Sequence, residues 1–161
     1  MCSSDLTISA GNLGQLIQAH VHPMPRLEVA ACLVEAGIQC ALDVSDGLRG
    51  DAAHICEQSG LSAEIVVDRI LVHSALEEQF DREEALRLAL DGGEDYELLC
   101  AGPETTMLHA IALAEERTGV PLTIIGRLTA SSPSASLVRL IDSEGNSIDA
   151  PSASWDHFRH A

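Results

Sequence analysis

Apolar and polar positions along the first half of the chain predict helices and strands in alternation. Apolar residues recur at intervals of three or four over 27–34, the spacing of one helix face, and Gly37 marks where that helix ends. From residue 38 to residue 44 apolar and polar side chains alternate, as they do in a half-buried strand. A second helical pattern covers about 47–59 and ends at Gly60.

The second half of the chain continues this alternation and ends in a hairpin. Asp81 and Glu84 have the spacing of a helix start, with an Asp cap and a Glu three residues later. In chain order the pattern predicts a strand over 63–68, a helix from 81 to 92, a strand over 96–101, a helix over 103–118, a strand over 122–128, and a turn at 143–146 between two short strands. A weaker helical pattern lies near 13–20. This irregular order predicts an α+β fold, with helices packed on a mixed β-sheet.

Composition narrows the range of functions. The 161 residues include 25 acidic and 9 basic residues, for a net charge of −16, and every basic residue is arginine. A chain without lysine has no P-loop lysine, and a strongly acidic surface repels the phosphate backbone of nucleic acids. We therefore expect no nucleic-acid partner, whereas a small anionic ligand can bind if a metal ion mediates the contact.

The cysteines and the hydropathy indicate the compartment. The five cysteines are scattered and form no CxxC pair, which is typical of buried thiols in a reducing compartment. No apolar run approaches the ~18 residues of a membrane span, and the start of the chain lacks a signal-peptide pattern. We therefore expect a cytoplasmic protein that does not enter a membrane.

The first group of residues that could carry chemistry lies where a predicted strand runs directly into a helix. Asp43, Ser45 and Asp46 precede Gly47 there, so two carboxylates and a hydroxyl gather at the start of the helix. Such oxygen ligands suit Mg²⁺, and the helix amides favour phosphate groups. The alternative is simple helix capping by Ser45 or Asp46, a common role for these residue types.

The second group is the segment Asp91-Gly-Gly-Glu-Asp-Tyr-Glu97. Two glycines permit close backbone approach, and Glu94 and Asp95 follow them in a chain already crowded with negative charge. Such crowding is costly unless a cation or a donor ligand offsets it. The alternative is a helix end followed by a polar sheet edge, with Tyr96 packed in the core.

The third group is the C-terminal segment, which contains two of the four aromatic residues of the chain, Trp155 and Phe158. An aromatic face can bind a flat heterocycle, especially a cationic one. The alternative is that these rings pack on the domain and close its core.

Four segments, ALDVSDGLRGDAAHI, LALDGGEDYELL, TIIGR and WDHF, together resemble the thiamine-monophosphate kinase family. The resemblance covers roughly residues 23–158, in order, and is to the C-terminal domain of that family. It implies a transfer of the γ-phosphoryl group of ATP to thiamine monophosphate, which makes thiamine diphosphate, with Mg²⁺ ions and without a P-loop. It also implies the fold of the C-terminal domain of aminoimidazole ribonucleotide synthetase-like proteins.

The resemblance implies roles for five residues. Asp43 and Asp46 correspond to Mg²⁺ ligands, Ser45 to an ATP contact, Glu94 to a substrate contact and Trp155 to the aromatic residue against the thiamine moiety. No residue is implied to form a covalent intermediate, because phosphoryl transfer depends mainly on positioning and charge neutralisation.

Two departures from the family pattern qualify these implications. Ser154 stands where the family usually has glycine before the tail aromatic. The family also places another domain ahead of this one, and residues 1–22 can hold only the end of an interdomain connection or a non-native start, so that 23–161 form the C-terminal domain. The resemblance implies a homodimer for the full enzyme, and because the preceding domain is missing we expect no turnover by this chain alone. The alternative is an inactive stand-alone domain that binds a phosphorylated ligand or a partner chain.

Overall fold

The computed structural model describes residues 12–131 and 136–148. Within these ranges the chain forms six α-helices and five β-strands, together with a single turn of 3-10 helix at Val67–Arg69. The helices are α1 (Asn12–Val21), α2 (Leu27–Ala36), α3 (Leu48–Ser59), α4 (Ser74–Gln79), α5 (Arg82–Asp91) and α6 (Glu104–Thr118). The strands are β1 (Cys40–Asp43), β2 (Leu61–Val66), β3 (Leu98–Ala101), β4 (Gly126–Ala130) and β5 (Val138–Ile141).

The helices begin and end where glycine and capping residues in the sequence predict. Gly37 and Gly60 adopt left-handed backbone conformations and end α2 and α3, where glycine avoids the strain of a Cβ atom. The Asp81 side chain accepts a hydrogen bond from the Glu84 amide at 2.9 Å and so caps α5. A turn at 142–146 closes the hairpin between β5 and a bridge at Ser147.

Two predicted strands have different limits in the structure, and one short helix was not predicted. β2 covers 61–66 rather than 63–68, and its residues 62–65 are all buried instead of alternating, because β2 is the central strand of its sheet. β4 covers 126–130 rather than 122–128. α4 was not predicted, since six residues are too few to show helical periodicity.

The strands form two sheets. β2 lies between β4, to which it runs antiparallel, and β5, to which it runs parallel, so this sheet is mixed. β1 and β3 form a separate antiparallel ribbon. The fold is therefore α+β with helices packed against a mixed sheet, as the sequence predicted.

The ribbon of β1 and β3 lies between two aliphatic cores. The first core packs α3 against the mixed sheet, and the second packs α2 against α6. Leu99 on β3 packs against the first core, whereas its neighbours Leu98 and Cys100 pack against the second. Because both faces of the ribbon are held in this way, the loop that leaves β1 at Asp43 starts from a fixed position. Along the described ranges, no helix is long and apolar enough to cross a bilayer.

Candidate functional site

The loop between β1 and α3 is held by a buried carboxylate. The backbone amides of Ser45 and Asp46 donate hydrogen bonds of 3.0 and 3.1 Å to one carboxylate oxygen of Asp51, in the first turn of α3. Asp51 is 4% exposed, whereas Asp43 is exposed at the end of β1, and Ser45 and Asp46 are half-buried. Asp51 thus fixes the backbone from which the Ser45 and Asp46 side chains project.

The capping alternative for this loop was wrong. The N-cap of α3 is Gly47, which has no side chain, so neither Ser45 nor Asp46 occupies the capping position. The hydrogen bonds run in the opposite sense, from the loop amides to a helix side chain.

The segment after α5 lies directly against this loop. The Glu94 amide donates to the Ser45 carbonyl and the Tyr96 amide to the Val44 carbonyl, each at 2.8 Å. The Val44 amide donates in return to the Glu97 carbonyl at 2.8 Å. These bonds join two sequence motifs that are about fifty residues apart into one surface, the paired loops 43–47 and 93–97.

Two glycines make this close approach possible. A Cβ atom on Gly93, which has a φ of +65°, would lie 2.8 Å from the Ser45 carbonyl oxygen. A Cβ atom on Gly47 would lie 3.0 Å from the Cα atom of Asp91, at the end of α5. Glu94 and Tyr96 also have positive φ values, of 60° and 52°, which are uncommon for residues other than glycine. Tyr96 is 39% exposed, so the alternative that placed it in the core was wrong.

The 93–97 loop carries concentrated negative charge. The Glu94 side chain is 61% exposed, and one of its oxygens lies 3.5 Å from Nε2 of His20, in the last turn of α1. The pKa of Asp95 is raised, first by desolvation of its carboxyl group and then by the charge of Glu97, while His20 acts in the opposite direction. This concentration of negative charge would repel an anionic ligand unless a cation or a donor group offset it.

Two arginine–carboxylate pairs hold the paired loops, and sequence reasoning identified neither. Arg26, just before α2, binds both oxygens of Glu97, with Nη2 at 2.6 Å and Nε at 2.9 Å. Arg49 in α3 donates a hydrogen bond of 3.2 Å from Nη2 to one oxygen of Asp91, and its Nε lies 3.1 Å from the other oxygen as an ion pair without hydrogen-bond geometry. The Asp91 side chain is only 1% exposed, and this burial raises its pKa against the opposing charge of Arg49. The Arg49 guanidinium is therefore engaged in a buried ion pair.

A possible metal-binding group lies at the same place. One ligand atom each from Asp46, Asp51 and His54 fall within 4.8 Å of one another. Asp43 is not in this group, so the structure places the two predicted metal ligands on the same loop without bringing both into one cluster. The three-residue spacing of Asp51 and His54 along α3 was the sequence signal for their shared face.

Four of the five predicted site residues therefore lie on the paired loops. These are Asp43, Ser45, Asp46 and Glu94. The fifth, Trp155, lies outside the described residues.

The chain matches the family described as AIR synthase related protein, C-terminal domain, over residues 5–138, and it belongs to that family. It is 37% identical to the thiamine-monophosphate kinase of Salmonella typhimurium over 143 residues, which cover 89% of this chain and 42% of that protein. The predicted resemblance to that kinase family is therefore confirmed.

Two solved structures show the same similarity. The crystal structure of thiamine-monophosphate kinase from Stenotrophomonas maltophilia superposes with a TM-score of 0.73 and 31% identity, over 85% of this chain and 40% of that one. The structure of AaThiL complexed with AMPPCP and TMP gives a TM-score of 0.68 and 26% identity, over 89% of this chain and 41% of that one. The chain thus spans less than half the length of the relatives it matches.

Proposed function

We propose that this chain is the C-terminal part of a thiamine-monophosphate kinase, an enzyme that transfers the γ-phosphoryl group of ATP to thiamine monophosphate. The observation that carries this proposal is the joining of the two motif loops by direct backbone hydrogen bonds, since one surface then presents both sets of predicted contacts. The similarity to a structure complexed with AMPPCP and TMP supports the same conclusion.

A magnesium site on this surface fits the residues present. Asp46 and Asp51 supply carboxylate oxygens, the ligands that Mg²⁺ prefers, and Asp43 supplies another carboxylate on the same loop. One oxygen of Asp51 already accepts two amides, which leaves its other oxygen for a ligand. When bound, Mg²⁺ would offset the negative charge shared by the loops and the nucleotide phosphates. We propose Asp43 and Asp46 as its principal ligands.

The other proposed contacts follow from their places on the loops. Ser45, whose backbone amide and carbonyl are both hydrogen-bonded within the site, is proposed to contact ATP through its hydroxyl. The backbone on either side of Glu94 is hydrogen-bonded to the 43–47 loop, and the Glu94 carboxylate is exposed. An exposed carboxylate on a fixed backbone suits recognition of a cationic thiazolium. Trp155 is proposed to bind the thiamine moiety through its aromatic face.

The remaining proposals concern the complete enzyme. We propose that residues 23–161 form its C-terminal domain, that residues 1–22 belong to an interdomain connection, and that the full enzyme is a cytoplasmic homodimer. The chain spans 42% of the Salmonella typhimurium kinase and matches a family described as a C-terminal domain, which supports its place in the C-terminal part of such an enzyme. For the same reason, we expect no product from this chain alone.

The test is a chimera in which this chain replaces the matching 42% of the Salmonella typhimurium enzyme. We expect Mg²⁺-dependent formation of thiamine diphosphate. Asp43→Asn and Asp46→Asn should each lower kcat by about 100-fold or more, because charge neutralisation supplies most of the catalysis. Asp68→Asn, at an exposed aspartate paired with Arg82, is the matched control and should leave turnover unchanged.

The substrate contacts are tested in the same chimera. Trp155→Ala and Glu94→Gln should raise KM for thiamine monophosphate more than KM for ATP, and Ser45→Ala should do the reverse. A folded chimera without kinase activity would contradict the proposed function and favour the stand-alone binding domain.

A further inference from the structure

The first helix of the structure presents an uncovered apolar face. Leu13, Ile17 and Val21 recur every four residues along α1, which places them within about 80° of one another around the helix axis. Their exposed fractions are 55%, 40% and 57%. The described ranges therefore leave 40–57% of each of these side chains uncovered, and we call this face the α1 stripe.

α1 itself is held in place beside the candidate site. It packs against α4, and its last turn brings His20 to 3.5 Å from the Glu94 carboxylate. The α1 stripe is thus a feature of a helix docked on the domain, adjacent to the loop that carries Glu94. Three large aliphatic side chains aligned on one face are the anchors that a packed interface uses.

The lengths of the relatives indicate what covers the stripe. The chain matches 42% of the Salmonella typhimurium kinase, and the family that it matches over residues 5–138 is a C-terminal domain. In those longer proteins another domain therefore precedes the matched region. α1 is the first described element, so it is the element that lies nearest along the chain to such a domain.

We propose that the α1 stripe is the docking surface for the domain that precedes this region in the longer relatives. Docking there places that domain next to the 93–97 loop, because His20 and Glu94 are in contact at the same end of α1. The inference rests on family membership and on the exposed stripe. It does not depend on which residues hold the nucleotide, so a binding experiment separates it from the proposed kinase activity.

The experiment is isothermal titration calorimetry. The separately produced preceding domain of the Salmonella typhimurium kinase, first shown to be folded by circular dichroism, is titrated into the full 161-residue chain, and the dissociation constant is measured. We expect binding by the unaltered chain. Ile17→Glu and Leu13→Gln should each weaken it by about 10-fold or more, because each removes an apolar anchor from the stripe. Leu108→Glu is the matched control, since Leu108 is 53% exposed on α6, a helix that packs on α2 instead.

Glutamine is a good helix former, so Leu13→Gln keeps the test valid if circular dichroism shows that Ile17→Glu melts α1. The following outcomes would each overturn the proposal. No binding by the unaltered chain, or equal weakening by Leu108→Glu, would remove the case for this surface. A dimer of the chain alone that Ile17→Glu dissociates would assign the stripe to a second copy. Hydrogen-exchange protection of α1 that disappears when residues 149–161 are deleted would assign it to the chain's own tail.

Discussion

The close approach of the paired loops makes Gly93→Ala the sharpest test of how the site is built. Gly93 has a φ of +65°, and an added Cβ atom would lie 2.8 Å from the Ser45 carbonyl oxygen. Gly119, at the end of α6, has a φ of +69° and nothing within 4 Å of the same added atom. The two alanine variants therefore share the backbone strain but differ in the steric contact.

The expected magnitudes follow from these two causes. Left-handed backbone costs an alanine about 1–2 kcal/mol, which is the whole expected effect at Gly119. At Gly93 the contact with backbone forces the loops apart, and overpacking of this kind adds about 1–3 kcal/mol. Separation also weakens the 2.8 Å hydrogen bond from the Glu94 amide to the Ser45 carbonyl. We expect Gly93→Ala to lower the free energy of unfolding by about 2–5 kcal/mol.

The assay is urea unfolding of both variants and the parent chain. Where their m-values are equal, differences between the unfolding midpoints report differences in the free energy of unfolding. Amide chemical shifts should move across 43–47 and 93–97 in Gly93→Ala and stay in place there in Gly119→Ala. Equal destabilisation of the two variants would refute the reasoning, because the loops would then have no need of close contact.

Two further predictions concern the frame around the site. Asp81→Ala should cost about 1 kcal/mol in urea unfolding, since the Asp81 side chain caps α5 through the Glu84 amide; no loss would mean that the cap is not formed in solution. Arg139 and Arg127 hold the pKa of the Glu64 carboxyl below its ordinary value of 4.5, so its stabilisation is present above that pH and is lost as pH falls through the folded-state pKa. Glu64→Gln should therefore be less stable than the parent at pH 7, with the gap closing as pH falls below 4.5 and through the lowered folded-state pKa, and a gap independent of pH would contradict the ion-pair network.

Local features of this fold were predictable because short-range chemistry determines them. Gly37 and Gly60 end helices because glycine tolerates positive φ, and Asp81 caps a helix through an amide only three residues away. The strand limits of β2 and β4 were less predictable, because burial of a central strand depends on its neighbours in the sheet rather than on its own alternation.

The candidate site was predictable residue by residue, but not as an arrangement. Each motif was visible in the sequence, yet the backbone hydrogen bond from Glu94 to Ser45 joins segments that no local pattern relates. The Arg26–Glu97 pair spans 71 residues for the same reason. The role of Asp51 was hidden as well, since an aspartate in the first turn of a helix is ordinarily explained by the helix dipole alone.

The central claim is that the paired loops form one cation-dependent nucleotide site. The most direct measurement is the broadening of amide signals of the chain by Mn²⁺ in the presence of AMPPCP, with Asp46→Asn as the control. Broadening should appear together at 43–54 and 93–97 and should be lost in Asp46→Asn. Broadening centred on another acidic segment, such as the 142–146 turn, or unchanged in Asp46→Asn, would contradict the claim.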